Sequence, residues 1–272
     1  MNHDQQAQAL TALGHPARLA VFRLLARRTP DGVRPSEIAD ALGLKANTLS
    51  VHVTTLLRAG LVTSERAGRS VLYRIDLDQA GALVDFLVGD CCRGRPELCR
   101  GLGPKAPAER GRVLFLCTHN SARSIFGEAI LADRGGESFI ALSAGTRPRA
   151  KPNAYALQVL EGRGHDVSAL RSKDIAEFQG ADAVPLDYVF TVCDDAANTD
   201  CPAWPGRPLS AHWGLPDPTL VRADPDLTRV AFESIYDRMA ARIDAFLALP
   251  KLDPVALQAR LDAIGQMERS AP

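Results

Sequence analysis

The chain has 272 residues, 32 basic and 32 acidic side chains, 46% hydrophobic content and six cysteines. A length near twice the usual ~150-residue domain points to two domains, and 24% charged residues beside that much apolar content exclude global disorder. No apolar run nears the ~20 residues of a membrane span and the opening MNHDQQAQ is too polar for a signal peptide, so a cytoplasmic protein is expected, its thiols doing chemistry rather than stapling the fold.

The zero net charge hides an asymmetry. Residues 1–75 carry ten Lys/Arg against five Asp/Glu, a net +5, which the remainder balances with −5. The stretch 93–111 is rich in Gly, Pro and Arg and reads as a linker. It divides a domain over 1–92 from one over 112–250, with a helical tail at 251–272.

In the first domain Ala9, Leu10 and Leu13, then Leu19, Phe22, Leu24 and Leu25, recur at helical spacing either side of Gly14-His15-Pro16. Ser36 opens SEIADALGL, a short helix that Ser36 suits as N-cap and Gly43 as stop. Asn47 or Thr48 then starts NTLSVHVTTLLRAG, with Leu49, Val53, Leu56 and Leu57 on one face. Two short helices so closely joined make a helix-turn-helix, whose second helix reads bases. Thr48, Ser50 and His52 stand on its polar side, His52 being equally readable as a groove contact or a plain surface residue. LVTSERAGRSVLYRIDL follows as alternating strands about Ala67-Gly68-Arg69, a wing that sets Arg66 and Arg69 to meet phosphates. The positive charge favours operator DNA over a protein partner.

GHPARLAVFRLL, SEIADALGL and LSVHVTTLLRAGLV together resemble the ArsR family of metal-responsive repressors, across most of 1–90. The resemblance implies a mainly α winged helix-turn-helix acting as a homodimer that leaves its operator when a metal or metalloid binds. Gln79–Val88 would be the last helix, joining the first at the dimer interface. Many such repressors carry arsenite cysteines at the start of the helix preceding the reader, where this chain has Pro35-Ser36-Glu37-Ile38 and no thiol. Its thiols stand instead at Cys91, Cys92 and Cys99, in GDCCRGRPELC. Arsenite is a soft, three-coordinate centre that prefers thiolates, so it is the expected inducer ligand. Zinc lacks an evident fourth ligand nearby.

In the second domain VLFLC is an apolar run short enough for a buried parallel strand, and IFGEAILADRG has helical spacing. Between them lies Cys117-Thr118-His119-Asn120-Ser121-Ala122-Arg123-Ser124. A strand, a loop and a helix N-terminus form an anion site, with backbone N–H groups pointing inward and the helix dipole favouring negative charge. Residues 118–123 are the expected oxyanion cradle, with Arg123 able to grip two oxygens. Cys117 is the expected thiolate nucleophile, and Ser124 a hydrogen-bond partner of its sulfur. His212-Trp213-Gly214-Leu215-Pro216-Asp217-Pro218 supplies Asp217, either the acid for a leaving oxygen or an ordinary Asp-Pro turn. Trp204 and Trp213 read as packing residues. PVALQARLDAIGQMER reads as an amphipathic helix with Val255, Leu257, Leu261 and Ile264 on its apolar face, free to dock on either domain or a second subunit.

This combination resembles the low-molecular-weight tyrosine phosphatase fold, an α/β domain with a small parallel sheet and helices on both faces. The match covers roughly 112–248, with strands expected at 113–117, 138–143 and 187–192. Phosphatases of this fold usually carry a cysteine before the loop arginine and a tyrosine after the Asp-Pro pair; here these are Ala122 and Thr219. CTHNSARS, VFTVCDDAANTDCP and AHWGLPDP instead resemble the arsenate reductases of this fold. That resemblance implies chemistry by thiols, with no bound metal or flavin. Cys117 attacks arsenic, Asp217 protonates the departing hydroxyl, and Cys193 and Cys201 pass a disulfide outward to a thioredoxin or glutathione/glutaredoxin type of reductant. Seven residues separate Cys193 from Cys201, one more than in the familiar thioredoxin-linked members, which leaves the reductant open. The chain thus reads as an arsenic-responsive repressor fused to an arsenate reductase. The alternative is a DNA-tethered tyrosine phosphatase, with Cys193 and Cys201 as redox protection.

Overall fold

The computed structural model describes residues 3–68, 70–91, 110–179, 183–199, 204, 207–221 and 224–267. The chain divides into two compact units, Met1–Ala106 and Pro107–Pro272.

The first unit runs α1 (His3–Leu13), α2 (Pro16–Arg28), α3 (Pro35–Leu42), α4 (Ala46–Arg58), β1 (Val62–Ala67), β2 (Ser70–Ile75) and α5 (Leu77–Phe86), ending in a π-helical turn over Leu87–Cys91. Prolines set two of the helix starts, because their fixed φ suits the first helical position and their missing N–H costs nothing there. Pro16 follows His15, whose Nδ1 accepts the Ala17 N–H at 3.2 Å. Pro35 starts α3 one residue before Ser36, so Ser36 is not the cap, and Arg34 holds that position without a side-chain bond. Gly43 ends α3 with φ 63°, the left-handed stop its lack of Cβ allows. Likewise α4 begins at Ala46 after Lys45, ahead of Asn47 and Thr48. The last helix starts at Leu77 rather than Gln79, because Asp76 caps it by accepting the Gln79 N–H at 2.9 Å. Val21, Leu24, Leu25, Ile38, Leu49, Val53, Leu56 and Leu61 are buried together in one core. The antiparallel wing pairs Val62 with Ile75 and Ala67 with Ser70. It is pinned to the helices by two 2.9 Å backbone bonds between Val33 and Tyr73.

The second unit runs β3 (Gly111–Cys117), α6 (Arg123–Arg134), β4 (Phe139–Gly145), α7 (Ala154–Gly162), β5 (Tyr188–Thr191), α8 (Asp194–Asn198), β6 (Leu209–His212), α9 (Pro225–Leu247) and α10 (Pro254–Gly265). Its sheet is parallel throughout, in the order β4-β3-β5-β6. The fourth strand, β6, is additional to the three the pattern announced. Cys117 ends opposite Gly145 and Thr191 opposite His212, so the chain leaves every strand at one edge, where parallel α/β sheets bind ligands. Phe115, Phe190 and Trp213 are fully buried beneath that edge, Phe190 and Trp213 stacking at 3.9 Å between centroids and 10° between planes.

The terminal helix α10 joins this core. Leu261 and Ile264 are buried in it, and the Trp213 indole N–H donates to the Leu261 carbonyl at 3.0 Å. A Cβ on Gly265 would lie 2.4 Å from the His212 carbonyl oxygen, so only glycine permits the approach. Val255, expected on the apolar face, is 82% exposed in the first turn. The buried Arg242 of α9 donates to the carbonyls of Trp213 at 2.8 Å and Gly265 at 3.2 Å, tying α9, α10 and the segment after β6 together. Among the described residues no helix is long and apolar enough to cross a membrane.

Candidate active site

The loop from Cys117 to Ala122 fills the gap between β3 and α6. Each of its carbonyls is tied from outside the loop or by the next helix. Cys117, Thr118, His119 and Ser121 accept the N–H groups of Thr146, Arg147, Arg149 and Asn153 at 2.8–3.1 Å. Asn120 accepts the Ser172 hydroxyl at 2.8 Å, and Ala122 accepts the Phe126 N–H at 2.8 Å. With the oxygen ends of the peptides anchored outward, their N–H ends are left to face the hollow of the loop. The unsatisfied first-turn N–H groups of α6 add to the same field, since Ala122 caps that helix without a side-chain bond. Gly145 makes the fit possible, because a Cβ there would lie 2.8 Å from the Thr118 oxygen and 2.9 Å from the Asn120 nitrogen.

Cys117 is buried, and its Sγ receives the Asn120 N–H at 3.1 Å and lies 2.9 Å from Ser124 Oγ. The Ser124 oxygen accepts from Asn120 Nδ2 at 2.8 Å, which leaves the hydroxyl proton to point at the sulfur. Asn120 takes a positive φ of 44°, a conformation asparagine tolerates. A small cavity in front of Cys117 is lined by His119, Ser121, Ala122, Arg123, Asp217 and Thr219. Thr118 and Asn120, expected in the cradle, turn their side chains away from it, to Cys193 and to Ser124. Thr219 was not expected there, and nothing in its spacing marks it.

Arg123 is held ready and occupied. Its Nη1 donates to the Leu215 carbonyl at 3.0 Å and its Nη2 to Asp217 Oδ2 at 3.0 Å. Burial pushes the Asp217 carboxyl up, but the Thr219 N–H, the Arg123 charge and the Thr219 hydroxyl outweigh it, leaving Asp217 below its ordinary value. His119 is also held below its ordinary value, by burial and then by the charges of Arg149 and Arg147.

Cys193 follows β5, is buried, and has its Sγ 3.3 Å from Thr118 Oγ1. Burial and then the neighbouring Cys117 push its thiol above the ordinary value, against weaker opposition from Arg123, Thr118 and the Ala196 N–H. The structure therefore brings Cys117, Arg123, Ser124, Asp217 and Cys193 to one edge of the sheet. Cys201 lies outside the described residues.

Residues 112–258 match the model of the low molecular weight phosphotyrosine protein phosphatase family. The chain belongs to this family. Within it, the second unit is 31% identical over 135 residues to an arsenate reductase of Bacillus licheniformis, covering 49% of this chain and 93% of that one. A crystal structure of an arsenate reductase from Archaeoglobus fulgidus is similar at 25% identity and a TM-score of 0.38, covering 48% of this chain and 98% of that one. Residues 13–65 match a helix-turn-helix domain model. The first unit is 45% identical over 94 residues to an uncharacterized HTH-type transcriptional regulator, YbzH, of Bacillus subtilis, covering 29% of this chain and 92% of that one. A helix-turn-helix unit with a β wing is thus joined to a phosphatase-family unit whose relatives include arsenate reductases.

Beneath the phosphatase-family loop runs a buried polar network that no motif announces. Asn120 Nδ2 also donates to Ser143 Oγ at 2.8 Å, and Ser143 donates to Glu128 Oε2 at 2.6 Å. Lys173 Nζ bonds both Glu128 oxygens, at 3.0 and 2.8 Å, and its backbone N–H donates to Asn120 Oδ1 at 2.6 Å. The loop asparagine is therefore fixed through both ends of its amide.

In the first unit Thr48, Ser50 and Arg66 are exposed, Thr48 and Ser50 on α4 and Arg66 on the wing. His52 does not stand free: it is half-buried with its ring 4.7 Å from that of His15. Burial, then His15 and Arg18, hold it below its ordinary value. Cys91 is exposed at the end of the π-helical turn. Arg69, Cys92 and Cys99 lie outside the described residues.

Proposed function

We propose that the chain is an arsenic-responsive transcriptional repressor joined to a thiol-dependent arsenate reductase. The repressor spans 1–92, a thiol-bearing linker 93–111, and the reductase 112–250 with its terminal helix beyond; the whole works in the cytoplasm as a homodimer. One observation carries the enzymatic half. Cys193 is buried against Thr118 of the oxyanion loop, a placement that ester hydrolysis does not need and a disulfide relay does. The likeness to curated arsenate reductases supports the same reading.

Arsenate enters the cavity and accepts the inward N–H groups of residues 118–123, and Arg123 exchanges Asp217 for the oxyanion. Losing that ion pair while gaining a negative neighbour raises Asp217, which takes a proton and passes it to a departing hydroxyl. The Cys117 sulfur bonds to arsenic as that hydroxyl leaves as water, giving a Cys117–As(V) adduct. The Cys193 thiolate then attacks the Cys117 sulfur. The sulfur–arsenic electron pair stays with arsenic, which departs as arsenite, As(III), leaving a Cys117–Cys193 disulfide. Cys201 attacks Cys193 and releases Cys117, whose thiolate Ser124 and the Asn120 N–H stabilise. An external thioredoxin or glutaredoxin type of dithiol reduces Cys193–Cys201. The thiols supply both electrons, so the relay calls for no bound metal or flavin.

In the repressor half, Thr48 and Ser50 face the groove, His52 braces the reading helix through His15, and Arg66 and Arg69 meet phosphates. Cys91, Cys92 and Cys99 bind arsenite, the enzyme's product and the inducer. Cys99→Ser is expected to weaken arsenite-driven release without altering DNA affinity in its absence. Cys117→Ser is expected to lose the response to arsenate and keep that to arsenite.

The second reading, a DNA-tethered tyrosine phosphatase, is favoured by the Arg123–Asp217 geometry, which serves phosphate esters equally well. Cys193→Ser separates the two: it is expected to abolish arsenate turnover and spare aryl phosphate hydrolysis. Arsenate turnover surviving that substitution would refute the relay.

A further inference from the structure

His212 ends β6 with a fully buried side chain, and its ring bonds two residues that bracket Cys193. Nδ1 lies 2.8 Å from Thr191 Oγ1, two residues before the thiol, and Nε2 lies 2.9 Å from Asp194 Oδ1, one residue after it. A carboxylate only accepts, so Nε2 carries a hydrogen, and in the neutral ring the Thr191 hydroxyl donates to Nδ1. The backbone straps the same segment on one side. Trp213 N–H donates to the Thr191 carbonyl at 2.7 Å and Leu215 N–H to the Val192 carbonyl at 3.2 Å. On the other side of Cys193 begins α8, only five residues long, with Asp194 as its first residue and Cys193 as its cap. A single turn has little stability of its own, and Asp194 is 58% exposed, so this flank is the one able to open.

The Cys193 residue is 4% exposed. A sulfur so placed can meet Cys117, but it must come outward before a disulfide it carries can be passed on. We infer that His212 is a positioning residue for the second thiol and that the Asp194–His212 bond is a latch. Closed, it holds Cys193 inward against Thr118; open, it frees α8 to carry the sulfur to the surface. Its place in catalysis rests on the disulfide relay proposed above, whereas the latch itself concerns access to Cys193 in the reduced protein.

The test is alkylation of the full-length reduced protein by N-ethylmaleimide without arsenate, with each cysteine resolved by peptide mass spectrometry. Substitution at the exposed Asp194 leaves the buried ring in place and spares the fold. Asp194→Ala is expected to raise the labelling rate of Cys193 roughly ten-fold, the size of a lost hydrogen bond to a charged group, with Cys117 labelling unchanged. Asp194→Asn, which keeps an acceptor for Nε2, is expected to restore slow labelling. Cys193 labelling within two-fold of wild type in Asp194→Ala, or Asn behaving as Ala does, would overturn the latch. Unmasking of Cys193 in a protein that consumes no reductant with arsenate would leave the latch standing and remove the relay. Normal arsenate turnover with unmoved labelling would do the reverse.

Discussion

Replacing Lys173 by Met probes the network under the oxyanion loop. The ammonium group bonds both Glu128 oxygens and the Arg171 carbonyl, and the Lys173 and Glu128 side chains are only 8% and 15% exposed. Methionine fills similar volume but leaves the Glu128 carboxylate buried with the Ser143 hydroxyl still donating to it. Breaking a buried pair by removing one partner costs about 3–5 kcal/mol, because the other charge stays uncompensated. For a unit of this size, a loss at the lower end of that range lowers Tm by about 6–12 °C. Both tryptophans, Trp204 and Trp213, belong to the second unit, so tryptophan fluorescence during heating reports this unit's unfolding. Adding Glu128→Gln to Lys173→Met removes the stranded charge and is expected to regain much of the loss. The bond from the Lys173 backbone to Asn120 survives the substitution, so at low temperature the loop keeps its form and activity falls less than stability. A Tm within about 2 °C of wild type, or a double variant no more stable than Lys173→Met, would refute this reasoning.

Gly145→Ala places a methyl group against the Thr118 and Asn120 backbone atoms, which cannot swing aside, and displaces the loop. The expected result is a fall in kcat of roughly 100-fold, as for other small misplacements of reacting groups; unchanged kcat would show that the loop does not depend on this contact. Because burial and Cys117 raise the Cys193 thiol, its thiolate fraction grows with pH through and beyond the ordinary thiol range. Rapid-quench measurement of Cys117–Cys193 disulfide formation should show a rate that keeps climbing there, and a plateau at or below the ordinary thiol value would contradict this. Arg147, Arg149 and Lys151 are exposed beside the loop, the first two bonded to its carbonyls through their backbones. Charge reversal at Arg147 and Arg149 is expected to lower kcat/KM for a dianion roughly ten-fold at low salt, with kcat steady and the effect fading as salt rises; a salt-independent loss would point to structural damage.

What the sequence disclosed was local. A short apolar strand, a spaced Cys and Arg and a following helix are contiguous, so the loop between β3 and α6 could be read directly. The helix-turn-helix and the wing could be read for the same reason. Long-range partnerships were silent: Glu128, Ser143 and Lys173 meet only because α6, β4 and the segment after α7 converge. The strand β6 escaped notice because four residues, LSAH, bordered by Pro208 and Trp213, carry almost no alternation. Helix starts at Pro35 and Ala46 were misplaced by favouring polar caps where a proline's geometry or tertiary packing decides. His52 is readable locally as a groove contact or a surface residue alike, since nothing local reveals that His15 comes back against it.

The proposed relay needs two thiols, Cys117 to bond arsenic and Cys193 to attack the Cys117 sulfur. Purified full-length protein supplied with arsenate and a coupled thioredoxin or glutaredoxin system should oxidise one equivalent of dithiol for every arsenite formed. Cys117→Ser and Cys193→Ser should each bring that consumption to background. Arsenate left unreduced with every dithiol donor, or reduced at the wild-type rate by Cys193→Ser, would contradict the account.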